Sequence, residues 1–150
     1  MVKVKYIIIT YLALGLALSL VIGIEYNSNG QEVLPTYYGS PFVFKQKSLG
    51  SSMESYYSIF GLIINLLIWS ILLYFIDKGI KIISKSKTTK TAYKIIVGLL
   101  IIFSTFNIAF DSVMVGLGFN ENLNYWYWNI DKEAEEYGQN YEGKFIIFRK

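Results

Sequence analysis

Three apolar runs, each about as long as a bilayer-crossing helix, constrain this 150-residue chain more tightly than any other feature. A transmembrane helix needs roughly 17–25 mostly apolar residues. The first run, YIIITYLALGLALSLVIGI, covers about 6–24 without a charge. The second, about 55–77, has IFGLIINLLIWSILLYFI at its heart; the third, about 92–117, contains KIIVGLLIIFSTFNIAFDSVMVGL. The expected fold class is an α-helical integral membrane protein with three transmembrane helices. The first run is longer than the apolar core of a signal peptide, about 7–15 residues, and no small-x-small cleavage site follows it. It is therefore expected to be retained as a membrane helix.

Charge supplies an orientation. Lys3, Lys5 and six lysines between 78 and 94 face a single acid, Asp77. The segments 25–54 and 118–150, with Asp111, hold the other ten acids against six basic residues. The positive-inside bias places the N-terminus and the 78–91 loop in the cytoplasm, and 25–54 and 118–150 outside. Lysine-rich coding with a single arginine suggests a bacterial source, hence the cytoplasmic (inner) membrane. The basic loop lacks interleaved aromatics, so it reads as an orientation signal against anionic lipid, with no nucleic-acid partner.

The chain has no cysteine and no histidine. That removes disulfides, thiolate nucleophiles, Cys/His metal sites and His-based acid–base chemistry. No catalytic residue, metal site or cofactor is expected, and an enzyme is the weakest of the functional classes.

Within the spans, small and polar residues are the informative ones. Gly15, Ser19 and Gly23 recur every four residues on the first helix, with Ala13 and Ala17 beside them, which predicts a helix-packing groove. Asn65 and Asn107 fall at matching depth on the second and third helices, which predicts a hydrogen bond between them. Ser104, Asn107 and Asp111 form a polar stripe on one face of the third helix. Asp111 is the one acid inside a span, and no second ionisable residue in the spans is expected to pair with it. It is read either as satisfied by water or a Tyr hydroxyl, or as a proton or ion site.

Outside the spans, Ser51 and Glu54 fit a capping box that starts the second helix near Ser52. The stretch 42–47 alternates like a short strand bracketed by Gly39 and Gly50. Residues 124–130 and 143–150 carry further strand-forming residues. A small extracytoplasmic β-rich layer from the 25–57 loop and the C-terminal tail is expected, with Trp126 and Trp128 as candidates for partner binding.

The stretches YYGSPFVF, SLGSS and the helix that follows them resemble a group of small uncharacterised bacterial multi-pass membrane proteins sharing a YG-x-P-F-x-F pattern. The resemblance covers about 37–80. It implies a bacterial cytoplasmic-membrane location and brings no activity. The expected function is an accessory or structural subunit packing against larger subunits of a membrane complex, its partners being lipid and other membrane proteins. The alternatives are a small oligomeric channel or transporter using the polar stripe, and an envelope immunity or partner-binding protein.

Overall fold

The computed structural model of the protein describes residues 2–21, 23–28, 37–39, 41–47, 55–83, 86–117, 119–120 and 141–146. In chain order these form helix α1 (Val2–Ala17), strands β1 (Gly23–Ser28), β2 (Tyr37–Gly39), β3 (Val43–Lys47) and β4 (Ser55–Tyr57), helices α2 (Ile59–Ile83) and α3 (Lys87–Leu117), and strands β5 (Phe119–Asn120) and β6 (Tyr141–Ile146).

Two helices, Ile59–Ile83 and Lys87–Gly116, are long and apolar enough to cross a membrane. Their large side chains face outward: Phe106 is 72% exposed and Leu99 62% exposed. Such continuous apolar surface matches a lipid environment far better than water. α1 is shorter, with 16 residues and a length of about 24 Å. It joins the other two, because α2 and α3 each pack on α1 more than on each other.

The first apolar run does not stay helical to residue 24. α1 ends at Ala17, and Gly23 starts β1 instead of lying on the small-residue face of a helix. The physical reason is local and long-range at once. Ser19 Oγ accepts from the Val21 amide at 3.2 Å, turning the chain, while the Ser19 amide donates to the Leu16 carbonyl and closes the last turn. Beyond the turn, the whole of β1 pairs antiparallel with β6, from Gly23–Ile146 to Ser28–Tyr141.

The second helix also starts later than the capping box predicts. Residues 55–57 are strand β4, and Ser58 is the cap, its hydroxyl accepting from the Gly61 amide at 3.1 Å. Ser51 and Glu54 lie outside the described residues. At the other end, the expected 78–91 loop is mostly helix. α2 runs on to Ile83, helped by the Asp77–Lys81 pair one turn apart, and Ser86 caps α3 by accepting from the Thr88 amide.

Among the described residues the strands form one six-stranded sheet in the order β5-β4-β3-β2-β1-β6. Neighbours are antiparallel except β4 and β5, which are parallel and joined through the α2–α3 hairpin. A bulge between Tyr38 and Gly39 bends β2. A Cβ at Gly39 would overlap the Phe42 carbonyl, so glycine is required there. Sheet and helices meet in a core of Leu18, Phe44 and Tyr57, covered by Leu14, Leu62 and Ile108.

Candidate functional site

The β2–β3 turn is seated between the helices at the point where α1 stops. Two features allow that depth. Gly61 lets α2 approach so closely that a Cβ would overlap the Val43 carbonyl oxygen. Asn65, fully buried, then treats the turn as a strand partner. Its Oδ1 accepts from the Phe42 amide at 2.9 Å and its Nδ2 donates to the Phe42 carbonyl at 2.7 Å. Pairing the backbone groups of an inserted turn in this way offsets the cost of taking them out of water. The expected Asn65–Asn107 bond does not form: the Asn65 amide is turned to the Phe42 backbone, which engages both its oxygen and its nitrogen. Asn107 donates back to the Phe103 carbonyl on its own helix at 3.1 Å.

The same insertion carries Lys45 inward. Lys45 and Tyr57 stand directly opposite on β3 and β4, so they share one face of the sheet. That face meets Asp111 on α3. Lys45 Nζ lies 3.1 Å from Asp111 Oδ1, and the Tyr57 hydroxyl donates to the same oxygen at 3.0 Å. The ammonium also sits 5.0 Å from the Tyr57 ring centre. Lys45 is only 2% exposed. Asp111 is thus met by a Tyr hydroxyl, one of the partners expected for it, and also by Lys45, a basic residue from outside the spans that the sequence did not single out. Burial, and then the neighbouring Asp111 charge, push the Tyr57 hydroxyl well above its ordinary value, so it stays a donor. Strand alternation places Val43 and Lys45 on one face, but nothing local says that this face meets the third helix.

Ser104 is fully buried and backs onto Gly15, where a Cβ would overlap it; its hydroxyl donates to the Leu12 carbonyl at 3.4 Å. Gly15 and the buried Ala13 therefore serve packing within the chain. Ser19, also buried, turns the chain after α1. The stripe Ser104, Asn107 and Asp111 is divided among three separate local tasks rather than presented as one polar row.

A second cluster, invisible to a reading that uses Asp77 only in the charge balance, surrounds that residue at the opposite end. Its carboxylate is approached by Lys5 from α1, by Lys81 from α2 at 3.0 Å, and by the Tyr93 hydroxyl from α3 at 2.8 Å. One buried acid therefore ties all three helices together. The only available signal is that Asp77 is a lone acid among eight lysines.

Among the described residues no group of three Asp, Glu, His or Cys side chains is placed to hold a metal. Trp126 and Trp128 lie outside the described residues. Compared with known proteins, the chain matches no family model, no curated sequence and no solved structure.

Proposed function

We propose that this chain is a small integral membrane protein of the bacterial cytoplasmic membrane, acting as an accessory subunit that holds a rigid extracytoplasmic sheet against larger membrane partners. In this reading α1 is the third crossing element, and the β2–β3 turn completes the depth that α1 leaves unfilled. The N-terminus and the α2–α3 turn face the cytoplasm, and the sheet faces outside.

The observation that carries the reading is the Lys45–Asp111–Tyr57 cluster. It locks the sheet to α3 through charge and hydrogen bonds that few flexible surface domains would need. Asn65 locks the same hairpin to α2. Sheet and helices would then behave as one body, which suits a protein that transmits position rather than performs chemistry. The pairing of Lys5 with Asp77 supports the orientation, because it gathers the lysine-rich N-terminus and the lysine-rich end of the α2–α3 hairpin on one side.

Purification from the native membrane in mild detergent, followed by mass spectrometry of co-purifying chains, tests the subunit role. Stoichiometric larger membrane proteins are expected; recovery of this chain alone as a monomer would overturn the proposal. Orientation is tested with single cysteines, which the natural chain lacks. Ser86→Cys should resist an impermeant thiol reagent in intact cells and Asn140→Cys should react.

A further inference from the structure

The crevice between α2 and α3 is treated differently at its two ends. At the sheet end it is filled by the chain itself: the core around Phe44 packs against Leu14, Leu62 and Ile108, the Phe42 backbone is tied to Asn65, and Lys45 is tied to Asp111. At the lysine-rich end no described segment fills it. There α1, α2 and α3 enclose an open cavity of about 700 Å³, walled by Ile8, Leu12, Leu73, Val97 and Leu100. That volume lies within the roughly 300–1,000 Å³ of ordinary small-molecule sites.

Its mouth is polar and of one net sign. Lys5, Asp77, Tyr93 and Lys94 stand around it. Asp77 is already engaged by Lys5, Lys81 and Tyr93. Lys94 is exposed and, among the described residues, makes no ion pair. Lys5 and Lys94 at the mouth, with Lys81 behind Asp77, leave a surplus of positive charge over an apolar slot.

We infer that this cavity binds an anionic phospholipid, one acyl chain lying between α2 and α3 on the floor of α1 and the phosphate headgroup resting against Lys94 and Lys5. The apolar walls offer methylene groups the packing that the hairpin provides at the other end. Lysines at the level of the membrane surface attract anionic headgroups over zwitterionic ones. Lys94 reaches the phosphate directly, and Lys5 shares its remaining donors between Asp77 and the lipid. The inference rests on the membrane reading proposed above and names the lipid that reading leaves open.

The test uses the full chain, purified in detergent and stripped of lipid, then titrated with phosphatidylglycerol or phosphatidylcholine of matched chains and examined by native mass spectrometry. One phosphatidylglycerol per chain is expected, bound about ten-fold more tightly than phosphatidylcholine, as a single charge-assisted bond provides. Lys94→Gln should bring the two lipids level, and Val97→Phe, which fills the slot, should weaken both. Equal binding of the two lipids by the natural chain, or unaltered binding by Val97→Phe, would overturn the inference. Should Val97→Phe fail to fold, the exposed Lys94→Gln variant still decides the headgroup preference. Alkaline washing of native membranes separates the two levels. A chain that stays in the membrane yet retains no lipid overturns the lipid site alone, whereas a chain that washes off overturns the membrane reading beneath it.

Discussion

Lys45 on β3 and Asp111 on α3, sixty-six positions apart, meet at 3.1 Å in a setting that leaves the lysine almost no access to solvent. Each charge there is tolerable only because of the other: an isolated ion in that environment would carry several kcal/mol of desolvation. Removing one partner should therefore cost far more than removing both. Lys45→Met and Asp111→Leu are each expected to destabilise the protein by about 3–5 kcal/mol, and the double variant by clearly less than their sum. Reversible unfolding in mixed micelles measures all four corners of the cycle; additive losses would mean the pair is not coupled.

Tyr57 adds a pH dependence with a definite sign. Its phenol is raised above the ordinary value of 10.0, first by burial and then by the Asp111 charge and the bond to it. A raised folded value means the folded state keeps the proton after the unfolded state has lost it. The stabilisation is thus complete below pH 10 and declines as pH rises beyond it. Lys45 and Asp111 face the same hydroxyl, so the comparison must be made against Tyr57→Phe, which lacks the titrating group. The natural chain should lose stability more steeply above pH 10 than this variant; parallel slopes would show that Tyr57 is not titrating in the cluster.

Asn65 gives a prediction that does not involve charge. Asn65→Leu removes both side-chain bonds to the Phe42 backbone and should destabilise the protein by about 1–3 kcal/mol. Amide exchange at Phe42 is the sharper readout, since the bond from this N–H is made to the Asn65 side chain. Exchange at Phe42 should accelerate strongly in Asn65→Leu while amides of mid-α3 stay protected. Unchanged protection at Phe42 would mean another group holds the turn.

How much of this is legible in the sequence follows from how local each cause is. α2 and α3 are visible because their apolar content is a property of a continuous stretch. The early end of α1 is not, because residues 18–24 are as apolar as those before them, and hydropathy alone does not tell a helix from a strand. β6, more than a hundred residues later, pairs with the whole of β1, while β2 meets it at Tyr26, and this pairing makes it a strand. Ser51 outweighs Ser58 as a cap on sequence grounds because Ser-x-x-Glu is a stronger capping signal than Ser-x-x-Gly. Tyr56 and Tyr57 have the character of membrane anchors, yet they extend the sheet. Asp111 stands out as an acid in a span and Lys45 as a strand residue, but their meeting depends on a hairpin packing into a helix crevice, which no window of sequence contains. Asp77 escapes notice because it stands at the very end of the second apolar run, where a charge marks the boundary of a span, whereas α2 runs six residues further and three helices enclose it.

The packing of α1 on α3 yields a test in which two glycines should respond with opposite signs. At Gly15 an added Cβ would overlap both the side chain and the backbone of Ser104, so part of the clash cannot be relieved by rotating a side chain. Gly15→Ala should force the helices apart and destabilise the protein by about 1–3 kcal/mol, as overpacking does. Gly98, on the same partner helix, has nothing within 4 Å of an added Cβ. Gly98→Ala should therefore stabilise the protein by about 0.5–1 kcal/mol, through the helix preference of alanine over glycine alone. Ser104→Gly, combined with Gly15→Ala, removes the side-chain part of the overlap and should recover much of the loss, although the clash with the backbone at 104 remains. Unfolding of the natural chain and these three variants in one detergent decides the matter. If Gly15→Ala proves as harmless as Gly98→Ala, α1 does not approach α3 at Ser104, and the small residues of α1 would have to serve a partner outside this chain.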